Sequence, residues 1–173
     1  MSESKVLSSR TAYKGKHVQV REDRVIEPAG YEALREVVVH PGAVCIVAQP
    51  SANEVILIRQ YRHATGRELI EIPAGTLRDG EDPRECAIRE LEEEAGYRAA
   101  RMVERGRFWT TPGFTTEMMY LFEAGDLEKT TTNPDEDEVI EVDIVPRATA
   151  FQMIDDGRIQ DAKSIVGLLR VLK

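Results

Sequence analysis

The stretch GTLRDGEDPRECAIRELEEEAGY, residues 75–97, joins a glycine-containing loop to the best-marked helix of the sequence. Asp82 can cap that helix, and Pro83 suits its first turn because proline lacks the backbone N–H that is unpaired there anyway. Gly96 is the residue type that most often ends a helix in the left-handed conformation. We therefore expect a helix over residues 82–95.

One side of this helix is apolar and a neighbouring side is acidic. The apolar side, which should face the core, comprises Ala87, Ile88, Leu91 and Ala95. Glu90, Glu93 and Glu94 fall within about 100° of one another on a helix. Like charges at these spacings repel, so a bare acidic run is typical of a solvated face. The preceding loop, with two glycines, and the neighbouring Arg89 indicate instead a site for a hard cation such as Mg²⁺, which prefers oxygen ligands.

Strands surround this helix in the sequence. We expect them over residues 8–26, 34–40, 43–48, 55–58, 69–73, 118–122 and 139–145, with 43–48 and 55–58 paired as a hairpin. Two further helices are expected at 147–156 and 161–172, the second from its apolar residues at helical spacing. Strands mixed with a few helices favour an α/β fold, in which helices cover the faces of a sheet.

The composition is that of an ordinary globular protein. The chain has 173 residues, of which 42% are apolar and 31% are charged. No apolar run approaches the roughly 20 residues that span a bilayer, and the start of the chain lacks the pattern of a secretory signal. Cys45 and Cys86 form no CxxC pair, so we expect reduced core thiols in a soluble, cytoplasmic protein that does not engage membranes. The net charge of −8 argues against binding to nucleic acid.

The central stretch resembles the Nudix box. Gly75, Glu81 and the run Arg89-Glu90-Leu91-Glu92-Glu93-Glu94-Ala95-Gly96 occupy every fixed position of that motif, and only Tyr97 stands where an aliphatic residue is usual. The resemblance implies the Nudix α/β/α sandwich with a mixed sheet and an N-terminal antiparallel strand extension. Residues 1–41 would form the N-terminal strand region that contributes to a dimer, and residues 42–173 the Nudix hydrolase domain.

Features outside the box resemble the ADP-ribose pyrophosphatase branch of this family. Glu71-Ile72-Pro73-Ala74-Gly75 leads into the box, and Pro112 lies 15 residues beyond Tyr97. An Arg35-Glu36 strand precedes the core, and an acidic run at 135–138 precedes a late strand. Each feature alone has an ordinary alternative, such as a turn or a solvated loop. Their joint order along nearly the whole chain favours this branch.

The resemblance also implies site residues. Metal ligands would be Ala74 through its carbonyl, Glu90, Glu93 and Glu94, with Mg²⁺ the expected ion and Mn²⁺ the alternative. Catalysis would involve Glu93 and a general base on a closing loop, Glu138, with Glu136 the other candidate. The residues expected to bind substrate are Arg62 at the diphosphate or terminal ribose, Arg35 and Glu36 at the adenine, and Gly113 and Glu117 at the ribose-phosphate side.

The expected activity is metal-dependent hydrolysis of the pyrophosphate bond of ADP-ribose to AMP and ribose 5-phosphate. One alternative keeps the chemistry and changes the nucleoside diphosphate sugar, for example to GDP-mannose. A second alternative is a sensor that binds ADP-ribose without cutting it, but such a module should lack some of the carboxylates of the box. By resemblance we also expect a homodimer with a shared adenine pocket.

Overall fold

The computed structural model describes residues 3–132 and 139–173. In this part of the chain the elements are, in order, β1 Lys5–Lys14, β2 Gln19–Ile26, β3 Glu32–Val39, β4 Ala43–Ala48, β5 Glu54–Arg62, β6 Arg67–Glu71, β7 Ala74–Thr76, α1 Pro83–Ala95, β8 Tyr97–Trp109, β9 Met118–Lys129, β10 Ile140–Pro146, α2 Arg147–Asp155 and α3 Ala162–Leu172. None of the helices among these elements is long and apolar enough to cross a membrane. The chain divides into an N-terminal unit, residues 1–42 with 109–118, and a larger unit, residues 43–108 with 119–173.

The N-terminal unit contains the predicted antiparallel strand extension. Its sheet has the order β1-β2-β3, and both neighbouring pairs are antiparallel. The single strand expected over residues 8–26 is wrong, because a turn closed by the Gly15 N–H and the Val18 carbonyl (2.8 Å) separates β1 from β2. Residues 111–115 form a second turn, which joins β3 through the hydrogen bond from Val38 N to the Phe114 carbonyl (2.8 Å).

The larger unit contains two sheets, with the orders β7-β4-β9-β8 and β10-β5-β6. Strand β4 pairs antiparallel with β7 and parallel with β9, so both of its edges are occupied. The expected hairpin between residues 43–48 and 55–58 is therefore wrong. Strand β5 pairs instead with β10 and β6, both antiparallel.

All six side chains of strand β4 are buried, because helices pack against both of its faces. Its alternate residues Val44, Ile46 and Ala48 pack with buried residues of α1, namely Cys86, Ala87, Leu91 and Ala95. The opposite face, with Cys45 and Val47, packs with residues of α2 and α3 that include Ala150, Met153, Leu168 and Leu172. Since successive side chains of a strand point to opposite faces, this division gives the predicted α/β/α arrangement.

The bounds of α1 follow its capping residues. The Asp82 carboxylate accepts hydrogen bonds from the N–H groups of Arg84 (2.9 Å) and Glu85 (3.3 Å), and α1 ends before Gly96, whose φ is 70°. Helix α3 also packs closely against the sheet, at Gly167. A Cβ at Gly167 would lie 2.7 Å from Cδ1 of Ile72, so glycine allows this approach without a shift of the Ile72 side chain.

Both cysteines are buried and carry free thiols, Cys45 on β4 and Cys86 on α1. Burial raises the pKa of each thiol to about 12. A thiol with such a pKa stays protonated near neutral pH and reacts slowly. This environment agrees with the expected role of both residues in the core.

Candidate active site

Arg89 on α1 holds three carboxylates in fixed positions. Its Nε and Nη2 donate to the two oxygens of Glu81 at 3.0 and 3.1 Å. Its Nη1 donates to Glu90 Oε1 at 2.7 Å and to Glu93 Oε2 at 2.8 Å. The contact with Glu93 is one helical turn away, as the sequence spacing predicts. Arg89 therefore connects the loop before α1 to the acidic side of the helix.

The charges in this cluster stabilise one another. The hydrogen bond from Arg89 is the largest cause that lowers the pKa of Glu81, to about 2. Burial lowers the pKa of Arg89, but its hydrogen bonds with Glu81 and Glu93 outweigh burial, and the net pKa is raised. Both groups are consequently ionised near neutral pH, which gives the site a permanent arrangement of charges.

Glu94 and Glu90 lie against the backbone of strand β7. The Glu94 side chain is buried, with 4% of the residue exposed, and its Oε2 accepts a hydrogen bond from the Ala74 N–H at 2.9 Å. A Cβ at Gly75 would lie 1.9 Å from Cδ of Glu90, so the Glu90 carboxylate occupies space that any other residue at position 75 would fill. The glycine of the loop thus allows two helix carboxylates to approach the strand.

The donor set at this position suits a hard divalent cation. Glu90, Glu93 and Glu94 offer carboxylate oxygens, and Ala74 adds a backbone carbonyl on the strand that they approach, which are the ligand types preferred by Mg²⁺. Within residues 3–132 and 139–173, no three side chains of the His, Cys, Asp or Glu type already converge as a metal-holding group. Glu90 and Glu93 instead both accept hydrogen bonds from Nη1 of Arg89.

Arg62, at the end of β5, has its guanidinium held by Glu71 of β6. Nε of Arg62 donates to Glu71 Oε1, and Nη2 donates to Oε2, both at 2.8 Å. Such a two-bond pairing fixes the plane of the guanidinium as well as its position. The hydrogen bond with Glu71 is the largest cause that raises the pKa of Arg62, and the negative charge of Glu94 contributes as well. Arg62 therefore stays protonated near neutral pH and presents a fixed positive charge.

The other substrate-binding residues that the sequence predicts lie in the N-terminal unit. Arg35 and Glu36 are exposed on β3, and Arg35 pairs with Glu27. Gly113 lies in the exposed turn at 111–115. Glu117 accepts a hydrogen bond from Thr110 Oγ1 at 2.6 Å and lies 3.6 Å from Nε2 of His40.

The proposed general base Glu138 and the alternative Glu136 lie outside the described residues, so their predicted roles stay predictions. A surface cavity of about 460 Å³ borders α1, and its lining includes Thr131, which shortly precedes this segment in the sequence. Its other lining residues are Glu85, Ile88, Arg89, Glu92 and Glu93. Of the three proposed carboxylate ligands, Glu93 lines this cavity, whereas Glu90 and Glu94 do not.

The fold and the carboxylate helix define a class of protein. A model of the NUDIX domain matches residues 39–166, and a model of the nucleoside diphosphate sugar hydrolase N-terminal domain matches residues 5–38. The chain belongs to the Nudix family. A crystal structure of an ADP compounds hydrolase has the same fold, with a TM-score of 0.89, 24% sequence identity, and coverage of 99% of this chain and 94% of that one. The predicted family and fold are confirmed.

Three relatives are similar to this chain over most of its length. A methanol dehydrogenase activator of Bacillus methanolicus is 38% identical over 96% of this chain and 91% of its own length. An ADP-ribose pyrophosphatase of Bacillus subtilis is 36% identical over 94% of this chain and 89% of its own length. A GDP-mannose pyrophosphatase of Klebsiella pneumoniae is 36% identical over 76% of this chain and 70% of its own length. The names of these relatives contain both nucleotide sugars that the sequence suggests as substrates, ADP-ribose and GDP-mannose.

Proposed function

We propose that this chain hydrolyses the pyrophosphate bond of ADP-ribose, with a divalent cation, and releases AMP and ribose 5-phosphate. The observation that carries the proposal is the complete carboxylate helix, in which Arg89 orders Glu81, Glu90 and Glu93 while Glu94 is held at Ala74. The relatives named ADP-ribose pyrophosphatase support the substrate, since the similarity to the Bacillus subtilis protein extends over nearly the whole chain.

Glu90, Glu93, Glu94 and the Ala74 carbonyl would hold the cation, which we propose to be Mg²⁺ with Mn²⁺ as a substitute. A bound divalent cation neutralises phosphate oxygens and lowers the pKa of a water molecule that it binds. Glu93 serves both in this ligand set and in catalysis. The buried side chains of α1 keep the three carboxylates on one rigid element, while Glu90 and Glu93 must leave Nη1 of Arg89 to bind a cation.

The remaining residues bind the substrate and take up the proton. Arg62 donates to the diphosphate, because only one edge of its guanidinium is occupied by Glu71 and its side chain is partly exposed. Arg35 and Glu36 bind the adenine, and Gly113 and Glu117 contact the ribose-phosphate part. Glu138 accepts the proton of the attacking water, because the helix carboxylates are committed to cations.

We propose further that residues 1–41 contribute to a homodimer and that residues 42–173 form the catalytic domain. The strands of the N-terminal unit expose large apolar side chains, among them Val6, Tyr13 and Leu34. Exposed apolar surface on a folded unit favours association with another protein surface. A second copy of the chain would cover it.

Two other functions are the alternatives. The GDP-mannose pyrophosphatase of Klebsiella pneumoniae has the same identity as the Bacillus subtilis protein but over less of both chains, which favours ADP-ribose. The name of the Bacillus methanolicus relative describes an effect on another protein and does not distinguish between nucleotide sugars. A sensor that binds without cutting is disfavoured because all carboxylates of the box are present.

The test is a panel of nucleoside diphosphate sugars with Mg²⁺ or Mn²⁺, with products separated by chromatography. ADP-ribose should give AMP and ribose 5-phosphate with the highest kcat/KM. A higher kcat/KM for GDP-mannose would overturn the substrate, and binding of ADP-ribose without any product would favour the sensor.

A pair of matched variants tests the site on the same helix. Glu94→Gln should lower kcat by at least about a hundredfold, which corresponds to about 3 kcal/mol of lost transition-state stabilisation. Glu92→Gln removes the same charge, but Glu92 pairs with Arg98 outside the proposed ligand set, so its kcat should stay near that of the wild type. Equal kcat values for the two variants at saturating Mg²⁺ would contradict the assignment of Glu94.

A further inference from the structure

Glu71 is a buried carboxylate to which the proposed reaction gives no role. It is the last residue of β6, and only 1% of it is exposed. Besides its two bonds from Arg62, its Oε2 accepts a hydrogen bond from Nζ of Lys163, a residue of α3. A buried charge is tolerated only when it is paired and hydrogen-bonded, and Glu71 has two cationic donors.

The ionisation of Glu71 depends on these two cations. Burial alone would raise the pKa of this carboxyl group, but the hydrogen bond from Arg62 and the positive charge of Lys163 outweigh it, and the net pKa lies below its ordinary value. Glu71 is therefore charged near neutral pH. It links a residue of the proposed substrate site to a helix on another face of the fold.

Lys163 is itself fixed at the start of α3. Its Nζ lies 2.9 Å from Asp161 Oδ2, and its side chain is only 12% exposed. Asp161 caps the helix by accepting hydrogen bonds from Ser164 N (3.0 Å) and Ser164 Oγ (2.5 Å). The charges thus alternate in sign along the series Arg62, Glu71, Lys163 and Asp161.

The same helical turn also holds the backbone that leads to the proposed metal ligands. Ser164 Oγ accepts a hydrogen bond from the Ile72 N–H at 2.8 Å, one residue after Glu71. Two residues later the Ala74 N–H donates to Glu94. The first turn of α3 therefore holds the segment 71–74 through a side chain and through the backbone.

This arrangement leaves a defined part of Arg62 for a ligand. Its Nε and Nη2 are bound by Glu71, and within residues 3–132 and 139–173 its Nη1 has no hydrogen-bond partner. The side chain is 37% exposed, whereas that of Glu71 is 1% exposed. One edge of the guanidinium is thus anchored in the protein and the opposite edge is accessible.

We propose that Lys163 is a positioning residue, which acts through Glu71 to hold Arg62 in the orientation that binds the diphosphate of the substrate. The proposal rests on the proposed function in so far as Arg62 contacts that diphosphate. Without the ammonium group, Glu71 Oε2 loses a donor and Arg62 alone balances the buried carboxylate. The Arg62–Glu71 pair is then no longer fixed to α3, and Glu71 neutralises the charge of Arg62 more fully, so the guanidinium binds phosphate oxygens less tightly.

The test is a double-mutant cycle on the dissociation constant of ADP-ribose, measured by calorimetry in EDTA so that no cation supports hydrolysis. Lys163→Met should weaken binding about tenfold, and Arg62→Ala should weaken it further. In the Arg62→Ala background, Lys163→Met should cause no additional loss, because its effect passes through Arg62. Independent, additive losses would overturn the positioning role.

Two further variants separate positioning from general destabilisation. Arg170→Met removes a cation from the exposed end of the same helix and should leave the dissociation constant unchanged. Lys163→Arg keeps the charge and should recover most of the affinity. If Lys163→Met fails to fold, as judged by its thermal transition, Lys163→Gln takes its place in the cycle.

The outcomes distinguish this proposal from the proposed function. A wild-type protein that binds ADP-ribose but does not cut it with Mg²⁺ overturns the proposed function, while the cycle still measures the coupling of Lys163 to Arg62. Hydrolysis by the wild type together with additive losses overturns the positioning role alone. If the wild type binds another nucleotide sugar instead, the cycle is measured with that compound, because the diphosphate is common to all of them.

Discussion

Arg89 distributes its donors unequally among the carboxylates around it. Glu81 receives two hydrogen bonds from separate nitrogens, whereas Glu90 and Glu93 share Nη1. A cation that binds Glu90 and Glu93 must therefore compete with a single N–H group for each of them. The bond pair to Glu81 can persist meanwhile and keep Arg89 in place. Glu81 is accordingly the anchor of the cluster, although it is not among the proposed ligands.

The first prediction at the residue scale concerns the stability contributed by Glu81. Hydrogen bonding from Arg89 lowers its pKa from 4.5 to about 2 in the folded protein. A carboxyl group whose folded pKa is depressed stabilises the fold above its unfolded pKa and loses this contribution as the pH falls through the folded value. Glu81→Gln should therefore destabilise the protein near neutral pH, and the difference from the wild type should shrink between pH 4.5 and about 2.

Urea unfolding of both proteins at a series of pH values measures this difference. Glu85→Gln is the control, because that carboxylate is exposed at the start of the same helix and exposed ion pairs contribute little. A difference between wild type and Glu81→Gln that stays constant down to the lowest pH would contradict the pairing with Arg89.

At the scale of elements, the helix α1 could be predicted from its own residues. Its cap, its apolar side and its terminal glycine lie within one stretch, so local chemistry decides its bounds. Strand pairing was less predictable: β4 and β5 are neighbours in sequence, yet β4 pairs with β7 and β9. Strand β8 was missed altogether, because its mixed charged and small residues lack the apolar alternation that marks a strand.

The site shows the same division. The contact of Arg89 with Glu93 follows from their spacing of four residues on one helix. Glu71 and Lys163 are 92 residues apart, and no local pattern connects them. Only the packing of α3 against the sheet brings this pair together, so sequence reasoning had no signal for it.

The prediction at this scale concerns the acidic segment before β10, which contains Glu138. Glu138 is the proposed general base, a role separate from that of the proposed metal ligands on α1. Glu138→Gln should therefore lower kcat strongly while KM and the dependence on Mg²⁺ stay nearly unchanged, as steady-state kinetics would show.

Glu136→Gln is the matched variant in the same segment and should have a mild effect. Equal damage by both substitutions would indicate a diffuse electrostatic role of the segment. A severe defect at Glu136 with a mild one at Glu138 would show that Glu136, and not Glu138, is the base.

At the scale of the whole molecule, the N-terminal unit raises the question of assembly. Every residue of β1 is exposed, including Val6, Leu7 and Tyr13, although the strand pairs with β2 from Lys5 to Lys14 with two register shifts. A paired strand with an uncovered apolar side gains stability when a second surface covers it. The proposed homodimer supplies such a surface.

We predict that light scattering gives twice the mass of one chain, which is 19.5 kDa. Because the proposed adenine pocket is shared, mixing Arg35→Ala chains with Glu94→Gln chains should create heterodimers with one intact site. Activity should then recover to a fraction of that of the wild type. Absence of recovery, when subunit exchange has been verified by mass spectrometry of tagged chains, would contradict a shared pocket.

The contact of α3 with the sheet at Gly167 bears on how a mutational scan of this protein would look. The neighbours that a methyl group would meet there are hydrocarbon, Ile72, Leu121 and Val47. A side chain larger than a methyl group would therefore push the helix away from the sheet, and Lys163, one turn earlier, would move with it away from Glu71. A saturation screen scored on turnover should mark this glycine as intolerant together with the polar residues. The positions that tolerate no substitution would then include residues that set the distance between α3 and the sheet, as well as residues of the proposed site.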